Sequence, residues 1–234
     1  MENRYKKRKP KLIIRRLSAA LITMLVTIGL IFSAVCFCKL FFPQMVSQGF
    51  IPEVFGRNVA ENVKIAQGLE IPEWIDSQII NIHFTARTGI HLTDVKNIVI
   101  HYVGNPNTTA QNNRDYFNNP TTDVSSHFVV GLEGEIIQCV PLWEKSSASN
   151  ERNKDSISIE VCHPDESGEF SEDTYNSVIK LASWLCYNFR LDEKAVIRHY
   201  DITEKLCPLY YVEHEDAWNQ MKKDIGTKLN EYSK

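Results

Sequence analysis

The chain has 234 residues, enough for one domain of moderate size with flanking segments, and its 43% hydrophobic and 24% charged residues exclude a disordered or fibrous class. The formal net charge of −3 conceals an asymmetry: residues 1–16 carry eight Lys or Arg against Glu2 alone, which leaves 18 basic and 28 acidic residues in the remainder. An acidic body of this kind argues against a nucleic-acid partner.

Residues 17–38 contain no charged side chain, and the run from Leu17 to Phe42 is broken only by Lys39. At about 1.5 Å per helical residue such a run spans the roughly 30 Å of a bilayer core. The basic residues crowd its N-terminal side. The expectation is a cytoplasmic tail over 1–16, a single-pass transmembrane signal anchor over 17–42, and an extracellular remainder. A cleaved signal peptide is the alternative, but the run exceeds the ~7–15 apolar residues of a signal core and no A-x-A site follows it.

Residues 43–92 read as a stalk that packs on the domain beyond it, with Ile71-Pro72-Glu73-Trp74-Ile75 forming a short helix or turn. From residue 93 to 234 strand and helix signals alternate. Val95 to His101 reads as a buried strand and Thr109 to Asn118 as a helix. His127–Leu132 and Glu135–Val140, separated by Glu133-Gly134, read as a hairpin. Ser156 to Val161 alternates as a strand. Tyr175, Val178, Ile179, Ala182, Leu185, Cys186 and Phe189 recur at helical spacing behind Ser171 as N-cap. Ala195 to His199 is another short strand, and residues 213–232 close the chain as a polar helix. The fold class is α/β (mixed α+β): a central mixed β-sheet flanked by helices, preceded by one N-terminal transmembrane helix.

Cys36 and Cys38 fall in the apolar run. Cys139, Cys162, Cys186 and Cys207 show neither C-x-x-C spacing nor disulfide-scaffold density. Cys139 and Cys186 read as small core residues, and a disulfide outside the cell stays open. His101 and His199 each end an apolar strand, where a sheet can present side chains to a cleft, and Cys207 follows His199 by eight residues. Two imidazoles and a thiolate make a three-ligand zinc set with a fourth position for water. Spacing alone leaves open that these are two strand-end histidines and one buried thiol.

At these residues the chain resembles the type 2 N-acetylmuramoyl-L-alanine amidases, a family that includes phage lysozyme-like amidases and animal peptidoglycan recognition proteins. The resemblance rests on His101-Tyr102-Val103, Ser125-Ser126-His127-Phe128, Asp155 to Glu160, and His199-x7-Cys207-Pro208, in that order, and covers roughly residues 93–222. It implies a central sheet with one zinc ion per chain on its rim, held by His101, His199 and Cys207. It also implies peptidoglycan as substrate, cut between N-acetylmuramic acid and L-alanine.

Within the resemblance, Glu160 is the expected general base and Lys205 the expected partner of the oxyanion. Relatives place either a tyrosine or a glutamate near the water; the tyrosine position is Ser126 here, which shifts weight to Glu160. Ser126 and His127 are expected to contact substrate, with a supporting role for His127 as the alternative. His163 receives no role. Ser147-Ala148-Ser149-Asn150 stands where relatives often carry an aromatic or histidine beside a glycine. A peptidoglycan-binding domain without catalysis is the second reading. Cys207 speaks against it, because such binders typically lack the cysteine ligand. A structural zinc site lacks a fourth protein ligand near these motifs.

Overall fold

The computed structural model describes residues 60–83 and 85–232, and its first regular element begins at Glu61. In chain order the elements are α1 (Glu61–Gly68), β1 (Asp76–Ser77), β2 (Asn97–Tyr102), α2 (Ala110–Phe117), β3 (Phe128–Val130) and β4 (Ile136–Gln138). There follow β5 (Ser156–Val161), α3 (Glu172–Phe189), β6 (Val196–Arg198), α4 (Tyr200–Thr203), α5 (Leu209–Glu213) and α6 (Glu215–Tyr232). The strands form one sheet in the order β1-β4-β3-β5-β2-β6. Only β3 and β4 pair antiparallel; every other neighbouring pair is parallel. The expectation of a mixed sheet flanked by helices fits this arrangement.

Alternation along the strands separates two faces. Ile98 and Ile100 of β2, Phe128 and Val130 of β3, and Ile157, Ile159 and Val161 of β5 join the larger core cluster. The same cluster holds the apolar stripes of α3 (Val178, Leu181, Ala182, Leu185, Cys186, Phe189) and of α6 (Trp218, Met221, Ile225), which packs along α3. Burial of each large apolar side chain contributes about 1.5–3 kcal/mol. From the described part of residues 43–92, Val63 and Ala66 of α1, Ile75 and Leu92 join the cluster, and β1 lies in the same stretch. The second face is divided. Ala110 and Phe117 of α2 cover Val129 and Ile137, while the strip beyond is polar.

Helix ends follow local chemistry. Thr109 caps α2 through a reciprocal capping box with Asn112, and the Ser171 hydroxyl accepts from Thr174 N–H at the start of α3. At the β3–β4 turn Gly134 has φ +79°, and a Cβ there would stand 2.8 Å from the Asp173 carbonyl oxygen, so the hairpin can close onto α3 only with glycine.

One part of the expected fold is corrected. Among the described residues no helix is long and apolar enough to cross a membrane. The two 18-residue helices, α3 and α6, carry Glu172, Asp173 and Lys180, and Glu215, Asp216, Lys222 and Lys223, respectively. Each is amphipathic and buries one stripe in the larger core cluster. The tail over 1–16 and the run over 17–42 lie outside the described residues, and among the described residues no transmembrane helix joins the fold. Cys139, Cys162, Cys186 and Cys207 are all buried free thiols.

Candidate metal centre

The site sits where the C-terminal ends of three parallel strands meet. His101 is the fifth residue of β2 and stands in register with Glu160 of β5, which in turn is opposite Val129 of β3. All three therefore fall on the second, partly polar face. β6 ends at Arg198; His199 has helical backbone angles and opens α4, while its N–H still donates to Ile100 O at 3.2 Å. The expected strand-end histidine is thus a strand-to-helix junction. Arg198 holds that junction: it donates to Asp201, to Glu215 and to the Tyr211 carbonyl. The segment after α4 turns back at Glu204, φ 63°, and Cys207 O accepts from Tyr200 N–H at 2.9 Å.

These turns bring His101, His199 and Cys207 together, with one potential ligand atom from each within 4.8 Å of the others. His101 Nδ1 is 3.8 Å from Cys207 Sγ and 4.0 Å from Glu160 Oε1. The His101 and His199 rings are 4.6 Å apart between centroids. All three residues are buried. His199 Nδ1 and Glu160 Oε2 are buried with no hydrogen-bond partner among the described residues. A buried polar atom with no partner is costly unless something else occupies it, and here two such atoms flank one cluster of donors.

The electrostatics suit a cation. Burial, then the neighbouring His199 and Lys205, holds His101 well below the ordinary imidazole value. Burial and then Lys205 lower His199. Both rings are therefore neutral and offer lone pairs, the form in which imidazole binds a metal. Burial pushes Cys207 up to about 12, with the Glu160 carboxylate adding to the rise. A thiolate here needs a compensating positive charge. Burial raises Glu160 to about 8, against the pull of Lys205. Lys205 is itself exposed.

Ser126 and His127 are not among the candidate ligands of the cluster. Both are fully buried. Ser126 Oγ donates to Ser158 O at 2.8 Å. His127 Nδ1 accepts from Ser158 N–H at 3.0 Å and its Nε2–H donates to Glu144 O at 2.9 Å. Burial lowers His127 to about 4, so the neutral ring is a strut between β5 and the 144–147 segment. His163 is also buried, Nδ1 bonded to Asp165 O at 2.7 Å and its ring 5.0 Å from that of Tyr102.

Two residues of the site had no assigned role in the sequence. Ser149 Oγ is 3.1 Å from His101 Nε2, and Asn150 Oδ1 is 2.9 Å from His199 Nε2. The only sequence signal was the departure of the 147–150 stretch from the relatives' pattern.

Comparison with known proteins agrees with this architecture. The family model described as N-acetylmuramoyl-L-alanine amidase matches residues 91–210. The chain is 31% identical over 172 residues to the N-acetylmuramoyl-L-alanine amidase BlyA of Bacillus subtilis (strain 168), covering 64% of this chain and 46% of that protein. It is 28% identical over 167 residues to the N-acetylmuramoyl-L-alanine amidase CwlL of Bacillus licheniformis, with the same 64% and 46% coverage. The chain thus spans about half the length of the curated relatives it matches. Among solved structures, a mutant endolysin from Bacillus subtilis superposes with a TM-score of 0.57 at 27% identity, over 65% of this chain and 98% of that one. The catalytic domain of XlyA superposes with a TM-score of 0.56 at 25% identity, over 65% and 99%.

Proposed function

The chain belongs to the N-acetylmuramoyl-L-alanine amidase family, and on that premise we propose that it is a zinc-dependent hydrolase of the amide between N-acetylmuramic acid and L-alanine in peptidoglycan. The observation that carries the reading is the convergence of His101, His199 and Cys207 beside a buried, unpartnered carboxylate oxygen of Glu160.

His101 Nδ1, His199 Nδ1 and Cys207 Sγ would hold the zinc. When bound there, the ion supplies a Lewis acid that acidifies water and polarises the scissile carbonyl. Glu160 takes the proton of the attacking water, as the new C–O bond forms, and returns it to the departing nitrogen as the C–N bond breaks. Before any cation binds, burial raises this carboxyl to about 8. A divalent charge beside it favours the carboxylate, the form a base needs. The Lys205 ammonium offsets the negative charge that develops on the carbonyl oxygen. The products are a free lactyl carboxylate on the glycan and a free L-alanyl amine on the peptide.

Digestion of purified peptidoglycan by the zinc-loaded chain, followed by mass analysis, tests the reading. New L-alanyl amino termini on released peptides are expected, with intact glycan chains left behind. Binding to the polymer without release of peptide sinks the hydrolase and favours a binding domain.

A further inference from the structure

The two histidines of the cluster are gripped from behind by neighbouring residues of one loop. We propose that Ser149 and Asn150 are positioning residues that fix the rotation of both rings, and that Asn150 fixes the tautomer of His199. Both Nδ1 lone pairs then face the metal position. The inference rests on the metal reading above.

The geometry sets the direction of each bond. The Asn150 carboxamide oxygen, 2.9 Å from His199 Nε2, can only accept, so Nε2 carries the proton and Nδ1 carries the lone pair. That Nδ1 is the buried atom without a partner. Ser149 Oγ does the corresponding service at His101 Nε2, 3.1 Å away, leaving Nδ1 toward Cys207 and Glu160. A hydroxyl both donates and accepts, so Ser149 orients its ring, whereas Asn150 also selects a tautomer. Outer partners of this kind raise ligand basicity and hold the ring in line.

The loop is built to present these two side chains. Asn153 Oδ1 accepts from the N–H groups of Ala148 and Ser149, at 3.0 and 2.6 Å. Asn150 has φ 52°, a left-handed conformation that asparagine tolerates and most side chains do not. The backbone twist turns its amide toward His199 while Ser149, one residue back, faces His101.

The test uses the full chain and the variants Asn150→Gly, Asn150→Asp and Ser149→Ala. Glycine keeps the left-handed backbone and removes the acceptor; aspartate restores it. Zinc affinity by chelator competition should fall about 10–100-fold in Asn150→Gly and Ser149→Ala and return in Asn150→Asp. In the metal-free chain, nitrogen NMR should find His199 as the Nε2–H tautomer in the parent and as a mixture in Asn150→Gly. The thermal midpoint of the metal-free chain should stay within a few degrees, which separates positioning from folding. Zinc affinity within threefold of the parent in Asn150→Gly, or an unchanged His199 tautomer, overturns the proposal. A parent chain that binds no zinc defeats the metal reading instead, and the tautomer measurement then decides this one alone.

Discussion

His101 and Glu160 face each other across the parallel β2–β5 pair, with Nδ1 and Oε1 4.0 Å apart. One atom is a candidate ligand and the other belongs to a candidate base, and the sheet register places their two residues side by side. A rigid ladder holds them, so substitution of either need not disturb the other.

Glu160→Gln should therefore keep the zinc and the fold while kcat drops by roughly 10²–10⁴-fold, the range lost with a general base. Metal stoichiometry and initial rates on a single muropeptide check it. A near-normal kcat would remove Glu160 from proton transfer.

The same substitution has a signature in stability against pH. The Glu160 carboxyl sits at about 8 in the folded chain against 4.5 for the free group, because burial disfavours its charge. Between those values the folded state holds the extra proton, so the metal-free chain loses stability as pH rises from 4.5 to 8. The slope is up to about 1.4 kcal/mol per pH unit. His127, lowered to about 4, acts in the opposite sense: it stabilises above 6.5 and that contribution disappears as pH falls through 4. Denaturant titrations of parent and Glu160→Gln should diverge across pH 4.5–8, with the variant gaining relative stability at the alkaline end. Parallel curves would contradict the buried, proton-retaining carboxyl.

Cys207→Ser and Lys205→Ala should separate ligand from charge. The serine variant is expected to lose zinc affinity by more than the about 10–100-fold attached to an outer partner, with activity lost as a consequence. The alanine variant should retain full zinc and lose kcat, by about 10–10³-fold if its ammonium meets the oxyanion. Zinc content and kcat measured on the same preparations decide this. Zinc lost from Lys205→Ala, or kept at full affinity by Cys207→Ser, would reverse the two roles.

His127→Phe is expected to act on stability. It strands the Ser158 N–H and the Glu144 carbonyl in a buried setting, a cost of about 2–5 kcal/mol. KM for a muropeptide should be unchanged in the fraction that folds. A raised KM with unaltered stability would make this imidazole a substrate contact after all.

How much of this was readable in the chain depends on where each element draws its information. β5 was legible residue for residue, because Ser156, Ser158 and Glu160 alternate with Ile157, Ile159 and Val161 and the period is 2. α3 was legible from its stripe and its Ser171 cap. β1 was not: two exposed residues, Asp76 and Ser77, carry no pattern, and they join the sheet only because Ile137 and Gln138 offer an edge. α6 read as polar because Trp218, Met221 and Ile225 are its only buried residues among eighteen. The ligand candidates were visible through their strand ends. Ser149 and Asn150 were not, since a five-residue 3-10 turn has no periodicity and its contacts run 48 and 49 positions along the chain. Ser126 and His127 looked available to a substrate because nothing local announces that Ser158 and Glu144 close over them.

Among the described residues β6 is an edge strand of three residues with a single neighbour, β2. Short edges of this sort fray first, since half their backbone groups have no ladder to join. The chain that leaves this edge carries His199 and Cys207, while His101 stands on the interior strand, 106 positions from Cys207. An ion shared by the three would rivet the outermost strand to the interior and close a very long loop, with the entropy of the open chain as the penalty it removes. Chelation would then quiet hydrogen exchange at Ile197 and Arg198 before it changed anything in α3. The same atoms that equip the cleft for chemistry would hem the margin of the sheet.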